Sequence, residues 1–418
     1  MLPTNLRTAA HPASAGLSIV HVLSSFGVGG QERVALDLAI GQLARGHVVS
    51  VISLAPAPDG PLAAEFAAAG VAVHRVAKRG GIDPTLVPRL ALVLRRLGAN
   101  VVHTHNPLPL IYGAPAARLI GARAIHTKHG VNPGTRAHRL LRRAAAQLAH
   151  AFVAVSDTTC EQARAQHDAP LDRLSTIPNG IRLDRYAPDA AARAQMRSEL
   201  GLGDAFVVGT VGRIDRFKNQ ALLVRAMGPL LSPEVRLVIV GDGDNRAQVE
   251  DAIRELPDPS LVVMTGRRSD VPRVIQAFDV FALPSKSEGL PLVVPEAMSA
   301  SLPIVATNVG GLPSVVDHMH TGFLVDVDED QLRAALSMLV NDRERAREMG
   351  ARARQVALAR YSHERMVDDY LALYGGDAVS EPADRSSPSA SNRPVLVRLD
   401  TSDGGPLSRV PLHIPRAD

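Results

Sequence analysis

The chain has 418 residues, of which 46% are hydrophobic and 3% aromatic, with no tryptophan and a formal net charge of +4. At roughly 100–200 residues per domain, two domains are expected. So small a charge and so few aromatics exclude the basic footprint and stacking platforms of a dedicated nucleic-acid binder, and fit anionic ligands or an anionic membrane surface better.

The single cysteine, Cys160, permits no disulfide framework or thiolate zinc site within one chain, in keeping with a reducing compartment. Residues 1–16 carry no long apolar core behind a basic head and are expected to be flexible, without a signal peptide. No stretch approaches the roughly 18–20 unbroken apolar residues of a membrane span. The expectation is a cytoplasmic protein able to rest on the inner face of the membrane.

Short β-branched runs at Leu17–Leu23, Val48–Leu54, Val71–Val76, Asn100–His103, Arg123–Thr127 and Phe152–Val155 predict strands, most of them separated by helical patterns such as Gln31–Arg45. Turn signals at Ile177-Pro178-Asn179-Gly180 interrupt this rhythm. It restarts with Phe206–Gly212, Val235–Val240, Leu261–Thr265, Val280–Leu283, Pro303–Thr307 and Gly322–Val325, and Asp328–Tyr374 reads as helix almost throughout. The alternation predicts an α/β chain of two Rossmann-like domains facing across a cleft, at 17–180 and 181–360. A last helical segment at 361–374 follows, and the Ser/Pro/Gly-rich residues 375–418 read as a mostly disordered tail.

The densest motif runs from Pro284 to Met298 and contains Glu288-Gly289-Leu290-Pro291 and Glu296. A buried strand empties into a polar turn, and a helix is expected to start near Leu290 with Pro291 in its first turn. Free N–H groups around Gly289 and Leu290 would then suit phosphate or sugar oxygens. Glu288 would stand at the mouth of the loop and Glu296 deeper in the groove, each able to accept hydrogen bonds from sugar hydroxyls. Arg213 and Lys218, after the Phe206–Gly212 strand, lie where open α/β sheets bind ligands and can bracket a diphosphate. Gly29 and Gly30 open the first long helix and permit close approach of a ligand, but the run is not a full dinucleotide fingerprint.

His103, His105 and His129 leave two neighbouring strands whose ends should open on one cleft. A His-x-His pair could bind zinc, but no third ligand is obvious in the sequence, and no metal is expected. Asp242-Gly243-Asp244 and Asp326-Val327-Asp328 read as turns rather than metal sites. Arg136–Arg143 forms a basic amphipathic stretch that reads first as a solvated face and second as a contact with anionic lipid.

Together the Glu288–Glu296 segment, Pro303–Gly311, Gly29–Arg33, Ile177–Ile181 and Gly212–Asn219 resemble the retaining nucleotide-sugar glycosyltransferases of family four, over roughly residues 18–374. The resemblance implies the two-domain GT-B fold, a nucleoside-diphosphate sugar as donor substrate, no cofactor, and a saccharide or lipid-linked acceptor held by the first domain. It implies that Glu288, with the Gly289 and Leu290 amides, contacts the transferred sugar and that Glu296 takes the ribose hydroxyls. Arg213 and Lys218 would neutralise the diphosphate, His129 would stand beside the sugar, Gly29 and Gly30 would close on the phosphates, and Arg267 would lie near the base. The last helix would cross back to the first domain. One departure is Ser314 where the family often carries an acid after Gly-Gly-x-Pro. An epimerase or phosphorylase on the same plan, or a non-catalytic sugar-nucleotide binder, are the alternatives.

Overall fold

The computed structural model describes residues 16–376, apart from 28, 59 and 131–134. The expected flexible start at 1–16 and the expected tail at 375–418 therefore lie outside the described residues, save for Gly16, Gly375 and Gly376.

The first half alternates β1 (Ser18–Leu23), α1 (Gly30–Ala44), β2 (Val48–Ser53), α2 (Leu62–Ala68), β3 (Ala72–Arg75), α3 (Leu86–Arg96), β4 (Val101–His105) and α4 (Pro107–Leu119). It continues with β5 (Arg123–Lys128), α5 (Arg136–Ala146), β6 (Ala151–Ala154), α6 (Asp157–Ala165) and β7 (Leu174–Thr176). These strands make a parallel seven-stranded sheet in the order β3-β2-β1-β4-β5-β6-β7. β7 was not anticipated. Its three residues, Leu-Ser-Thr, are too short to show a period, and pairing with β6 makes them a strand.

The second half runs α7 (Ala190–Glu199), β8 (Phe206–Val211), α8 (Gln220–Met227), β9 (Val235–Val240), α9 (Arg246–Arg254), β10 (Val262–Gly266), α10 (Val271–Val274), β11 (Val280–Leu283) and α11 (Val293–Ser299). Then come β12 (Ile304–Thr307), β13 (Gly322–Val325), α12 (Glu329–Asn341), α13 (Arg343–Arg360) and α14 (His363–Gly375). Its six strands are again parallel, in the order β10-β9-β8-β11-β12-β13. Alternate residues of β8 serve two cores: Val207 and Val211 pack in one, Phe206 and Val208 in the other. Burial on both faces is what continuous aliphatic runs require of a parallel sheet.

The long helical run after Asp328 divides at side-chain caps. Asp328, Asp342 and Ser362 accept hydrogen bonds from the amides of Gln331, Arg345 and Arg365, at 2.9, 3.0 and 3.1 Å. Each cap satisfies an amide that has no partner within its helix. α14 leaves the second domain and covers the first sheet. Met366, Val367, Tyr370 and Tyr374 share a core with Ile19 of β1, Val101 of β4 and Val34 and Leu38 of α1.

Within the described residues the chain thus passes between the domains twice, and the two passes lie side by side. Ile181 bridges to Ser362, with Ile181 N–H donating to Tyr361 O at 2.9 Å and His363 N–H to Ile181 O at 3.0 Å. Gly180 sits at this junction because a Cβ there would lie 2.5 Å from Ser362 O and 2.8 Å from Met366 Cβ. Gly180→Ala is therefore expected to lose about 1–3 kcal/mol through overpacking, read as a lower midpoint in chemical denaturation; an unchanged midpoint would show that the two passes can separate freely.

Candidate functional site

In both sheets the strand order reverses beside the first strand, between β1 and β4 and between β8 and β11. Loops leaving adjacent strands on either side of such a reversal splay apart and leave a crevice. At the second reversal the roots of the β8 and β11 loops are tied together by hydrogen bonds. Asp215 organises the first of them: Oδ1 accepts from the amides of Phe217 and Lys218, both at 2.9 Å, and Oδ2 pairs with Arg213 Nη2 at 2.7 Å. Lys286 N–H donates to Phe217 O at 2.7 Å and Asn219 Nδ2 donates to Pro284 O at 3.3 Å, which ties this turn to the turn after β11.

Lys218 Nζ meets Glu288 Oε1 at 2.7 Å, and Ser285 Oγ donates to the same oxygen at 2.5 Å. The lysine side chain is 20% exposed and the glutamate 9%, so the pair is largely out of water but open on one side. Expected to bind different parts of one ligand, Lys218 and Glu288 neutralise each other here. Arg213 shares their anchor, Asp215, but its side chain is 72% exposed. Arg267, directly after β10, is also exposed, whereas Arg268 is held by Glu199 and Asp270, each at 2.7 Å.

The helix expected near Leu290 begins at Val293 and has seven residues. The carbonyl oxygens of Glu288 and Leu290 are engaged elsewhere: Glu288 O accepts from Gly311 N–H at 3.4 Å and Leu290 O from Asn179 Nδ2 at 3.4 Å. The Gly289 and Leu290 amides therefore lie in the turn before the helix rather than at its tip. Gly310 lets that loop approach, with φ +55 and a would-be Cβ 1.8 Å from Glu288 O. Gly289 in turn abuts the first domain: a Cβ there would lie 2.3 Å from His129 O, and one on Gly130 would lie 3.6 Å from Gly289 Cα. His129 and the Glu288 loop thus face each other across the domain boundary.

Behind His129 the first domain buries more histidine than the motif suggested. In the parallel register His21 of β1 lies opposite His103 of β4, and His105 follows two residues on, on the same face. His21, His103 and His105 are 0, 0 and 1% exposed, so only His129 reaches the cleft and the expected opening of His103 and His105 onto it is corrected. Burial pushes the His21 pKa down to about 4 and that of His129 to about 3, and holds His103 and His105 well below the usual value. All four are neutral at pH 7. His21 supplies the third imidazole that the sequence did not reveal, with one ring nitrogen from each of His21, His103 and His105 within 4.8 Å of the others. Each of their six ring nitrogens already has a hydrogen-bond partner at 2.6–3.1 Å, so an ion there would have to displace those bonds.

Glu296 is partly buried in α11, where the Tyr186 hydroxyl hydrogen-bonds it. Burial pushes its pKa up to about 7, Asp37 adds to the rise, and Arg185 and Arg33 oppose it. Gly29 caps α1, with the Glu32 side chain folded against it, and Gly30 has open space on its Cβ side. Asp242 pairs with Arg246 at 3.6 Å on the surface, and Asp328 caps α12. Asp215, Ser285, His21 and Tyr186 were not anticipated. Of these, only Asp215, two residues before Phe217 in a turn, carries a local signal.

Two family models match the chain: "Glycosyltransferase Family 4" over residues 28–185 and "Glycosyl transferases group 1" over 192–356. The chain is 31% identical to the GDP-mannose-dependent alpha-(1-6)-phosphatidylinositol monomannoside mannosyltransferase of Mycolicibacterium smegmatis, over 77% of this chain and 89% of that protein. It is 29% identical to the Escherichia coli UDP-Gal:alpha-D-GlcNAc-diphosphoundecaprenol alpha-1,3-galactosyltransferase, over 60% of this chain and 69% of that one. Among solved structures, Anabaena HepE in complex with UDP superposes with a TM-score of 0.77 at 21% identity, covering 86% of this chain and 99% of HepE.

The raised pKa of Glu296 has a signed consequence. The folded state keeps a proton that the unfolded chain, with a glutamate pKa of about 4.3, gives up. Stability from this group is whole below about pH 4 and is lost as pH rises through about 7. The melting temperature of the parent protein should therefore fall relative to Glu296→Gln between about pH 5 and pH 8; parallel curves would show that the carboxyl titrates normally.

Proposed function

The chain belongs to glycosyltransferase family 4, whose members move sugars from nucleotide-sugar donors, and from that membership we propose a metal-independent, retaining transfer. A hexosyl group passes from a nucleoside-diphosphate sugar to a saccharide or lipid-linked acceptor during assembly of a polysaccharide or glycolipid. The meeting of Lys218 with Glu288 over the second crevice, opposite His129, carries this reading.

On donor binding the diphosphate takes over Lys218 and draws in the exposed Arg213, which releases Glu288 to accept hydrogen bonds from sugar hydroxyls. The Gly289 and Leu290 amides and His129 hold other sugar oxygens. Glu296 takes the ribose hydroxyls, Arg267 lies near the base, and Gly29 and Gly30 close over the phosphates. The bond from the anomeric carbon to the diphosphate oxygen breaks while the acceptor oxygen bonds to the same face. The acceptor's proton passes to the departing diphosphate. Orientation and stabilisation of the leaving charge supply the acceleration, and no enzyme nucleophile is required.

No helix among the described residues is long and apolar enough to cross a membrane. A lipid-linked acceptor would be met at α5, which exposes Leu140 at 65% and Leu141 at 36% on a helix carrying Arg136 and Arg143. Such a face can rest on anionic lipid.

Lys218→Ala and Arg213→Ala should each lower kcat by about 10²–10³, the effect of removing one preorganised donor to a developing anion, in an assay of nucleoside diphosphate release. Near-normal turnover in both would remove the diphosphate assignment. Proton NMR of the fresh product should show the donor's anomeric configuration; the inverted anomer would refute retention. Rates should survive EDTA, and a strict magnesium requirement would overturn the metal-independent reading. Anionic vesicles should retain the protein and release it with salt, less so for Leu140→Glu; equal binding by that variant would rule out α5 as the contact.

A further inference from the structure

The buried histidines form a single hydrogen-bonded line that ends in the cleft. His129 Nε2 meets His105 Nδ1 at 3.1 Å, His105 Nε2 meets His21 Nδ1 at 3.0 Å, and His21 Nε2 meets Gln42 Oε1 at 2.9 Å. Gln42 lies inside α1 at 0% exposure. Its Nε2 donates to the Tyr374 hydroxyl of α14 at 3.2 Å, and that hydroxyl meets His103 Nδ1 at 2.6 Å. His103 Nε2 then meets Thr127 Oγ1 at 2.7 Å, which meets the Tyr370 hydroxyl at 2.8 Å.

A neutral imidazole has one donor nitrogen and one acceptor nitrogen. A line of neutral imidazoles can therefore run in only one of two senses, and whatever ends the line selects the sense. Gln42 ends it. An amide oxygen only accepts, so His21 must donate from Nε2 and accept at Nδ1. His105 must then donate from Nε2 to His21, and His129 from Nε2 to His105. On the other arm the amide nitrogen only donates, so the Tyr374 hydroxyl oxygen accepts from it, and the hydroxyl proton is free to donate to His103 Nδ1. In that sense His103 donates from Nε2 to Thr127. His21, His105 and His129 thus carry their proton on Nε2, His103 joins them when Tyr374 donates to it, and a half-turn of the Gln42 amide would move the protons of the first three to Nδ1.

We propose that Gln42 is a positioning residue: through His21 and His105 it holds His129 as the Nε2–H tautomer and presents the Nδ1 lone pair to the cleft, where it accepts a hydrogen bond from a hydroxyl of the bound donor sugar. His129 Nδ1 has no hydrogen-bond partner among the described residues and is not among the buried unpaired atoms. A hydroxyl is the group that fits, because it can turn its proton toward an acceptor. The tautomer rests on the hydrogen-bond geometry of neutral rings, while the hydroxyl partner rests on the glycosyltransferase reading above.

The two parts separate in one experiment. Long-range ¹H–¹⁵N correlation on full-length protein labelled with ¹⁵N-histidine, with His129 assigned by loss of its signals in His129→Gln, reports the protonated nitrogen of each ring. At pH 7 we expect His21, His103, His105 and His129 all as the Nε2–H form. An Nδ1–H form or an imidazolium at His21, His105 or His129 overturns the relay, whatever the protein's activity. In Gln42→Met, which keeps the volume but removes both polar ends, His129 should become a mixture of tautomers and kcat/KM should fall about tenfold. An unchanged His129 signal in that variant removes Gln42 from its role. Titration with GDP-mannose and UDP-galactose in parallel should shift the His129 Nδ1 resonance with the donor that binds. A donor that binds, by thermal shift, without moving that resonance refutes the hydroxyl contact while leaving the tautomer result standing.

Discussion

A parallel strand can be followed by a neighbour in its own sheet only through a crossover, and the crossovers here are mostly helices, packed on both faces of the sheet. Once β2 and β3 lie on one side of β1 and β4 to β7 on the other, the loops leaving β1 and β4 cannot cover the same ground. The crevice between them is a product of chain order. The second sheet repeats the reversal between β8 and β11, so two crevices exist before any side chain is chosen. Close approach then falls to glycines: Gly310 makes room for the Glu288 backbone, and Gly289 brings that loop against His129.

Electrostatics follow from this geometry. An ammonium and a carboxylate at 2.7 Å in a cleft with little water offset part of each other's desolvation cost, while either alone would be far more expensive to keep there. In the proposed reaction the pair of Lys218 and Glu288 serves as a placeholder. A dianionic ligand with hydroxyls can satisfy both partners at once, by giving the lysine an anion and the glutamate several donors. Asp215 does for Arg213 what Glu288 does for Lys218, but at an exposed position where the pairing is worth little and is readily given up.

Strands with β-branched runs, such as Val235–Val240 and Val280–Leu283, were legible because burial on both faces leaves an unbroken apolar signature. The position of α11 was not. Pro291 marks a favourable start, but the carbonyl of Leu290 is taken by Asn179, more than a hundred residues earlier, and no local pattern records that. The candidate residues Lys218 and Glu288 could be read from their motifs, whereas their contact could not, since it spans seventy residues and depends on strand order. His21 and Gln42 were hidden for a related reason. One sits at an ordinary position in an aliphatic strand and the other inside a long helix, and only the register of β1 with β4 joins them to the histidines that had been singled out.

The seat of α14 bears on how the polypeptide matures. One face of the first sheet is completed by Met366, Val367, Tyr370 and Tyr374, and Met366 reaches back to Gly180, 186 positions earlier in the chain. At roughly 5–20 residues per second, synthesis leaves that face uncovered for about ten to forty seconds after residue 180 has been added. The covering of the first sheet is therefore complete only after residue 374 has been added. Until then the apolar face that Met366, Val367, Tyr370 and Tyr374 occupy stays open to water.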